Sequence, residues 1–159
     1  MEKMPEQKKM SIIAIHGTLD MAYPPLILAS TAATLDIPTT IFFTFYGLNI
    51  LRKDAATSLK VAPLGNPAMP MPVPNIIGAI PGMTNMATYM MKSMIKQHGV
   101  ATIPELISLC QETGVKLIAC QMTVDLFGFK KEDLIDGIDY GGAAMYMEDA
   151  STSDITLAF

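Results

Sequence analysis

Short apolar runs alternate along the chain with amphipathic stretches. Three short, mainly apolar segments fit strands buried on both faces, namely MSIIAIHG (10–17), IPTTIFFTFYG (37–47) and VKLIACQ (115–121). DITLAF (154–159) is predicted to be a closing strand. Because helical stretches separate the strands, the pattern predicts right-handed crossovers in a mainly parallel sheet with helices on both faces. The whole chain (1–159) is predicted to form a single α/β domain.

The intervening segments carry helix signals of different strength. The best-marked helix is TIPELISLCQETG (102–114), with Thr102 as the predicted N-cap and Gly114 as the predicted C-cap. Segment 19–36 is an apolar helix candidate whose Pro24–Pro25 pair suits a first turn, so this helix is expected to begin late. The other predicted helices are a loose piece at 48–59, a helix at 83–99, two short pieces separated by Gly128 within 123–137, and a last helix at 143–152.

Residues 61–82 form an insertion rich in proline, glycine and methionine, without charge or periodicity. A loop of this length inside a domain is usually functional or disordered. We expect the insertion either to cover the functional site as a lid or to form a contact between subunits. The helix predicted at 83–99 carries a methionine stripe on one face, which indicates core or interface packing. The stripe consists of Met83, Met86, Met90 and Met94.

Composition narrows the classes of protein that fit. Half of the 159 residues are apolar and 16% are charged, a low share that predicts extra buried area in a homo-oligomer. The net charge of −4 and the absence of a lysine block exclude nucleic acid as the expected partner. The tail at 1–9 is predicted to be disordered and lacks the apolar core of a secretory signal, which favours a cytoplasmic setting. A membrane-spanning helix is not expected, because prolines interrupt both charge-poor windows, 21–51 and 61–91.

The two cysteines are predicted to lie at opposite edges of the sheet. Cys110 falls in the last turn of a helix and Cys120 at the end of the following strand. A five-residue strand spans roughly 16 Å, whereas a disulfide joins Cα atoms up to about 7 Å apart, so no internal bridge is expected. Cys110 fits a small apolar packing residue. Cys120 precedes a predicted helix start, where backbone amides and the helix dipole favour a thiolate, although position alone fits a packed strand cysteine equally well.

Several polar residues are predicted to share the edge of the sheet with Cys120, because ligand-facing loops follow the carboxyl ends of parallel strands. His16 either pairs with the thiolate or is a hydrogen-bonded structural residue, and Asp125 is expected to cap the following helix or lie in its first turn. Tyr46 and Asn49 either line a pocket or pack. The candidate binding residues are His16, Gly17, Tyr46, Asn49, Gln121 and Asp125.

Several common chemistries lack their motifs in this sequence. It has no GxGxxG or GxxxxGK[ST] phosphate loop and no CxxC pair. No histidine or cysteine stands beside the methionine stripe to complete a metal site. We therefore expect neither a cofactor nor a bound metal.

Two segments, FFTFYGLNILRK and GVKLIACQMTVDLFGFKKEDLIDGIDYGGAAMYMEDA, resemble the DsrE/DsrF-like superfamily, in particular the DsrE-related branch often labelled peroxiredoxin-like. The resemblance extends from about Met10 to Ala150. It implies a flavodoxin-like three-layer α/β fold, trimeric or hexameric homo-oligomers, and a sulfur-carrying cysteine at Cys120. It also implies exchange with small sulfur carriers of the TusA kind or with rhodanese-type proteins. Tyr46 stands where family members carry tryptophan, and no proline-threonine-cysteine motif supports peroxidase chemistry.

The leading functional hypothesis is a cytoplasmic sulfur carrier that resembles a sulfurtransferase but is not a turnover enzyme. The Cys120 thiolate would hold sulfane sulfur as a persulfide or thiosulfonate and pass it to an acceptor thiol. An alternative is a non-catalytic oligomeric scaffold that binds a small ligand or a partner. Such a scaffold would pack Cys120 and could associate peripherally with a membrane through residues 61–82.

Overall fold

The computed structural model describes residues 8–62 and 80–159. Strands and helices alternate through these residues, as the apolar runs predict. The strands are β1 (Met10–Ala14), β2 (Thr39–Phe43), β3 (Lys116–Cys120), β4 (Asp139–Gly141) and β5 (Ile155–Ala158). The α-helices are α1 (Leu19–Thr34), α2 (Ala55–Ser58), α3 (Met83–Gln97), α4 (Ile103–Glu112), α5 (Gln121–Phe127) and α6 (Ala143–Ser151), and 3₁₀ helices cover Phe45–Leu51 and Lys131–Asp133.

The strands form one sheet in the order β4-β3-β2-β1-β5, and all four pairings are parallel. The predicted α/β class with a parallel sheet is therefore confirmed. Ile12 of β1 lies opposite Ile41 of β2, which in turn lies opposite Leu117 of β3. Strand β4 was not among the predicted strands, because its three residues form a short edge strand without an apolar run.

The main core lies between one face of the sheet and helices α1 and α4. Ile12, Ile41 and Leu117 point from the sheet into this core, and Leu26 of α1 packs against them. All four are at least 98% buried. Each such side chain contributes about 1.5–3 kcal/mol of stabilisation relative to full exposure. This burial stabilises the central strands whose ends carry the candidate site.

Helix α1 begins at Leu19, so the expected late start is wrong. Pro24 and Pro25 lie inside the helix. Proline lacks an N–H group, and the helix therefore loses the hydrogen bonds that would end on the carbonyls of Asp20 and Met21. The helix persists because its inner face, which includes Leu19, is buried against the sheet.

Other helix boundaries also differ in part from the predictions. The piece expected at 48–59 begins earlier as a 3₁₀ helix and resumes as α2, while the piece expected after Gly128 is a single 3₁₀ turn. Thr102 is confirmed as an N-cap, with both its N–H and its hydroxyl bonded to Glu105. The C-cap is Thr113, and Gly114 follows it in the left-handed region at φ +80°.

Within the described ranges, the second face of the sheet is covered more thinly than the first. Helix α6 connects β4 to β5, which lie at opposite edges of the sheet. Its nine residues span about 13 Å, whereas the strands between those edges spread over about 19 Å, and none of the nine is buried. Tyr146 of α6 stacks on Phe42 of β2 with ring centroids 5.2 Å apart.

A polar network holds α6 to the sheet beside this stack. One Asp149 carboxylate oxygen accepts a hydrogen bond from Lys9 Nζ at 2.8 Å and the other accepts from Thr40 Oγ1 at 2.9 Å. Partial burial raises the pKa of Asp149, but the bonds from Lys9 and Thr40 outweigh it and hold the pKa below its usual range. Lys9 thus belongs to the fold although the tail at 1–9 was predicted to be disordered, and residues 1–7 lie outside the described residues.

The predicted methionine stripe lies on α3. Met86, Met90 and Met94 are each about half exposed, so the core interpretation is wrong for them in this protomer. Most of the 61–82 insertion, residues 63–79, lies outside the described residues, and with it the lid or subunit contact expected there. Among the described helices, none has both the length and the hydropathy to cross a membrane.

We expect Asp149→Ala to lower the free energy of unfolding by about 1–3 kcal/mol, because Lys9 and Thr40 lose a charged partner. A carboxyl whose pKa is lowered on folding stabilises the protein above its unfolded pKa of about 3.9, and this contribution disappears as the pH falls through the folded pKa. Urea unfolding at pH 7 and pH 3 measures both effects, and the gap between variant and wild type should shrink at pH 3.

Asp54→Ala is the matched control for this experiment. Asp54 pairs with Arg52 at 2.8 Å, but its side chain is half exposed and its hydrogen-bond partners, Arg52 and Ser58, are local in sequence. Exposed ion pairs contribute little to stability. Equal destabilisation by both variants would contradict the role assigned to the Asp149 network.

Candidate functional site

The C-terminal ends of β1, β2 and β3 bring three segments together at one edge of the sheet. They are the loop after β1, the 3₁₀ helix after β2, and α5 after β3. Gly17 of the first segment lies against the carbonyl of Tyr46, and Gly47 lies against the carbonyl of Ala14. A Cβ atom at either glycine would collide with these backbone atoms, so both positions require glycine for space rather than for backbone flexibility.

Cys120 ends β3 and immediately precedes α5, as predicted. Its side chain is 3% exposed and packs with Phe42 and Ile118 on the α6 side of the sheet. Cys110 lies in the core on the opposite side, and both cysteines are free. The interpretation of Cys110 as a packing residue is supported by its full burial, which raises the pKa of its thiol to about 11.

Two buried threonines surround the Cys120 sulfur. Thr44 Oγ1 lies 3.2 Å from Thr123 Oγ1. Burial raises the pKa of the Cys120 thiol, but hydrogen bonding by these hydroxyls and by the backbone N–H groups of Met122 and Thr123 outweighs burial and holds the pKa below its ordinary value. Neutral donors therefore favour the thiolate here without help from a cation.

A strained backbone position fixes the orientation of Thr123. Phe45 has φ +46°, a left-handed conformation that is costly for an aromatic residue. Its N–H donates a hydrogen bond to Thr123 Oγ1 at 3.0 Å. The Thr123 oxygen accepts this bond, and the Thr123 hydroxyl proton can point to Thr44 Oγ1 or to the Cys120 sulfur.

The predicted binding residues fall into two groups. Gly17, Tyr46 and Asn49 lie together, because Asn49 Nδ2 donates to the Tyr46 carbonyl at 3.0 Å and Gly17 packs against both. Tyr46 also stacks on Phe127 of α5, with ring centroids 5.9 Å apart. His16 lies in the same loop as Gly17, but its side chain is exposed and makes no hydrogen bond within the described part of the chain.

Gln121 and Asp125 form the second group, on the exposed side of α5. Gln121 Nε2 donates to Asp125 Oδ1 at 2.9 Å. The expectation that Asp125 caps α5 or occupies its first turn is wrong, because Cys120 itself is the N-cap and Asp125 is the fifth residue of the helix. The sequence pattern favoured an acidic N-cap and did not indicate that Cys120, the last residue of β3, is the cap.

The sequence interpretation missed Thr44 and Thr123. One signal was available, since the spacing Cys-x-x-Thr at a helix start puts the threonine one turn beyond the cysteine, on the same side. Nothing local indicated Thr44, which reaches the sulfur only because β2 and β3 are neighbours in the sheet. In the described ranges 8–62 and 80–159, no group of three or more His, Cys, Asp or Glu residues is arranged to hold a metal ion.

Comparison with known proteins identifies relatives along nearly the whole chain. The model of the "DsrE/DsrF/DrsH-like family" matches residues 6–158. "Sulfur carrier protein DsrE2" of Allochromatium vinosum is 56% identical over 158 residues, which cover 96% of this chain and 98% of that protein. YrkE of Bacillus subtilis, named as uncharacterised, is 38% identical over 165 residues, which cover 97% of this chain and 99% of that protein.

Solved structures of lower identity share the fold. The YchN protein of E. coli superposes with a TM-score of 0.56 at 13% identity, covering 97% of this chain and 100% of the other. The MTH1491 protein of Methanobacterium thermoautotrophicum superposes with a TM-score of 0.52 at 14% identity, covering 94% of this chain and 98% of the other. These likenesses support the α/β architecture alone.

We expect Gly17→Ala and Gly47→Ala each to lower the free energy of unfolding by about 1–3 kcal/mol, because backbone must move to admit the methyl group. The shift should also disturb the segment that carries Thr44 and alter the reactivity of Cys120. Gly142→Ala is the control, since a Cβ at that position meets open space. Thermal unfolding and thiol alkylation measure the two effects, and full tolerance of alanine at Gly17 and Gly47 would contradict the packing argument.

At pH 7 we expect iodoacetamide to modify Cys120 in the native protein and Cys110 only after unfolding. The rate should fall as the pH is lowered through the pKa of Cys120, because the thiolate is the reacting species. Peptide mapping identifies the modified residue. Cys120→Ser should abolish native-state modification while Cys110→Ser preserves it, and the reverse result would show that the wrong cysteine has been chosen.

Proposed function

The chain belongs to the DsrE/DsrF/DrsH-like family, and we propose that it is a sulfur carrier that holds sulfane sulfur on Cys120. The named function of its 56%-identical relative supports the carrier role. The observation that carries the assignment to Cys120 is its place at the end of β3 and the start of α5, beside the buried hydroxyl pair of Thr44 and Thr123, where hydrogen bonding lowers the pKa of its thiol. Cys110 is also buried, but the pKa of its thiol is raised, which makes it unsuited to the same chemistry.

Loading is a thiol–persulfide exchange. The Cys120 thiolate attacks the outer sulfur of a donor persulfide R–S–SH, an S–S bond forms to Cys120, and the thiolate R–S⁻ leaves. Unloading is the same exchange with an acceptor thiolate as the nucleophile. Neither step consumes an oxidant or a reductant, so the protein acts as a carrier and needs no cofactor for the transfer.

The surface beside Cys120 favours a protein as donor or acceptor. Tyr46 and Met122, which belong to the segments that surround the sulfur, are each more than half exposed, and Phe127 stacks against Tyr46. Exposed aromatic and methionine side chains are typical of protein interfaces. We propose a small sulfur carrier of the TusA kind or a rhodanese-type protein as the partner that contacts them. His16, Gly17 and Asn49 would border the same contact, with Gln121 and Asp125 at its edge.

We further propose that the carrier is a cytoplasmic homo-oligomer, a trimer or a hexamer. The half-exposed methionines of α3 support a subunit interface on that helix, because methionine adapts to irregular apolar partners. Two free thiols fit a reducing compartment. The 61–82 insertion would contribute either to this interface or to a cover over Cys120.

We expect the native protein to gain 32 Da, one sulfur atom, after incubation with inorganic polysulfide. The adduct forms because the Cys120 thiolate is the available nucleophile, and it is measured by intact mass under non-reducing conditions. Cys120→Ser should remain unmodified, while Cys110→Ser should load like the wild type. Addition of a rhodanese-type or TusA-type acceptor should then move the sulfur to the acceptor.

Two outcomes would contradict the proposal. An adduct that persists in Cys120→Ser would assign the sulfur to another residue. Failure of wild-type protein to load, together with slow alkylation of Cys120, would favour the alternative of a non-catalytic scaffold with a packed cysteine.

A further inference from the structure

The hydroxyls of Thr44 and Thr123 form a pair with a limited set of hydrogen-bond arrangements. Thr123 is fully buried and Thr44 nearly so. Only one hydroxyl proton can lie between the two oxygens, which are 3.2 Å apart. The Phe45 N–H can only donate, and it does so to Thr123 Oγ1. The second hydroxyl proton is therefore left for the Cys120 sulfur, the remaining acceptor in the group.

This arrangement matches a sulfur atom that carries negative charge. A charged acceptor makes a hydrogen bond roughly twice as strong as a neutral one does. The sulfur of a persulfide carries little charge on the atom bonded to Cβ, because the charge or proton resides on the outer sulfur. The hydroxyl pair consequently interacts more strongly with free Cys120 thiolate than with the loaded residue.

We propose that the Thr44–Thr123 hydroxyl pair assists sulfur release by donating a hydrogen bond to the Cys120 sulfur as it becomes the departing thiolate. The donor is whichever hydroxyl does not place its proton between the two oxygens. The inference rests on the proposed carrier function for its biological meaning. In release, R–S⁻ + Cys120–S–SH gives R–S–SH + Cys120–S⁻. The bond between the Cys120 sulfur and the outer sulfur breaks, the outer sulfur bonds to the acceptor, and the electron pair of the broken bond stays on the sulfur that both hydroxyls face.

The same hydroxyls have a different effect on loading. They increase the fraction of Cys120 present as thiolate, but a stabilised thiolate is intrinsically a weaker nucleophile. Raising the pH restores the thiolate fraction in a variant that lacks a hydroxyl, whereas it does not restore the stability of a leaving group. In a variant without the hydroxyls, the loss of loading rate should therefore depend on pH, whereas the loss of release rate should not.

The decisive variant is the double substitution Thr44→Val/Thr123→Val, in which no hydroxyl remains to donate to the sulfur. It is compared with each single valine variant, with Thr44→Val/Thr123→Ser and with wild type, and Thr113→Val is the matched control. Thr113 bonds the Leu109 carbonyl in the last turn of α4, at the opposite edge of the sheet. Thr44→Ala/Thr123→Ala is a second variant without either hydroxyl and serves if the valine pair fails to fold. Circular dichroism and thermal unfolding check that each variant is native.

Two rates are measured on each native variant between pH 6 and pH 10. The first is alkylation by iodoacetamide, which reports formation of the thiolate. The second is release from protein blocked with methyl methanethiosulfonate, where dithiothreitol attacks the methyl-bearing sulfur of Cys120–S–S–CH₃ and expels the Cys120 thiolate. The second measurement requires no persulfide, so it decides this inference even if the carrier function fails.

We expect alkylation of Thr44→Val/Thr123→Val at pH 7 to be about tenfold slower than in wild type and to reach or exceed the wild-type rate at pH 10. Release should be about threefold or more slower at every pH, because the departing thiolate is less stable. Each single valine variant keeps one hydroxyl for the sulfur and should lie closer to wild type. Thr44→Val/Thr123→Ser should return both rates to those of Thr44→Val, and Thr113→Val should change neither. Wild-type release from the double valine variant, or failure of serine to restore it, overturns the inference. Failure of persulfide loading in wild type alone overturns the carrier function and leaves this result standing.

Discussion

The close contact between the loop after β1 and the 3₁₀ helix after β2 is the constraint on which the site depends. Gly17 and Gly47 let the two backbones meet without intervening side chains, and Gly47 N–H bonds the Ile15 carbonyl at 2.8 Å. Phe45, two residues before Gly47 in the 3₁₀ helix, has the strained left-handed conformation. Phe45 in turn directs Thr123, which faces the Cys120 sulfur. The close packing at Gly17 and Gly47 thereby helps to orient the Thr123 hydroxyl.

The thiolate at Cys120 is favoured by dipoles rather than by an ion pair. The groups that lower the pKa of the thiol are two threonine hydroxyls and two backbone N–H groups, whereas the side chain of His16 is exposed. Buried neutral donors are screened little by salt, and they leave no charge to neutralise when sulfur occupies the cysteine. Under the proposed carrier function, such a site would suit a cysteine that alternates between a charged free state and a loaded state.

The two faces of the sheet differ in packing and in the cysteine that each contains. Helices α1 and α4 bury the large apolar core, which supplies stability and contains Cys110. The opposite face carries Cys120 on the side of α6, a helix that has no buried residue and is attached through Tyr146 and Asp149.

Local patterns in the sequence determined the α/β class, the strand and helix order, the capped helix at Thr102, and the position of Cys120 between a strand and a helix. These features depend on apolar periodicity and on residues close in sequence. The thiolate environment was decided by tertiary structure, because Thr44 and Thr123 are 79 residues apart and meet only when β2 and β3 pair. The same holds for the start of α1, where burial outweighs the preference of Pro24 and Pro25, and for the short strand β4, whose pairing with β3 comes from the sheet rather than from its own sequence.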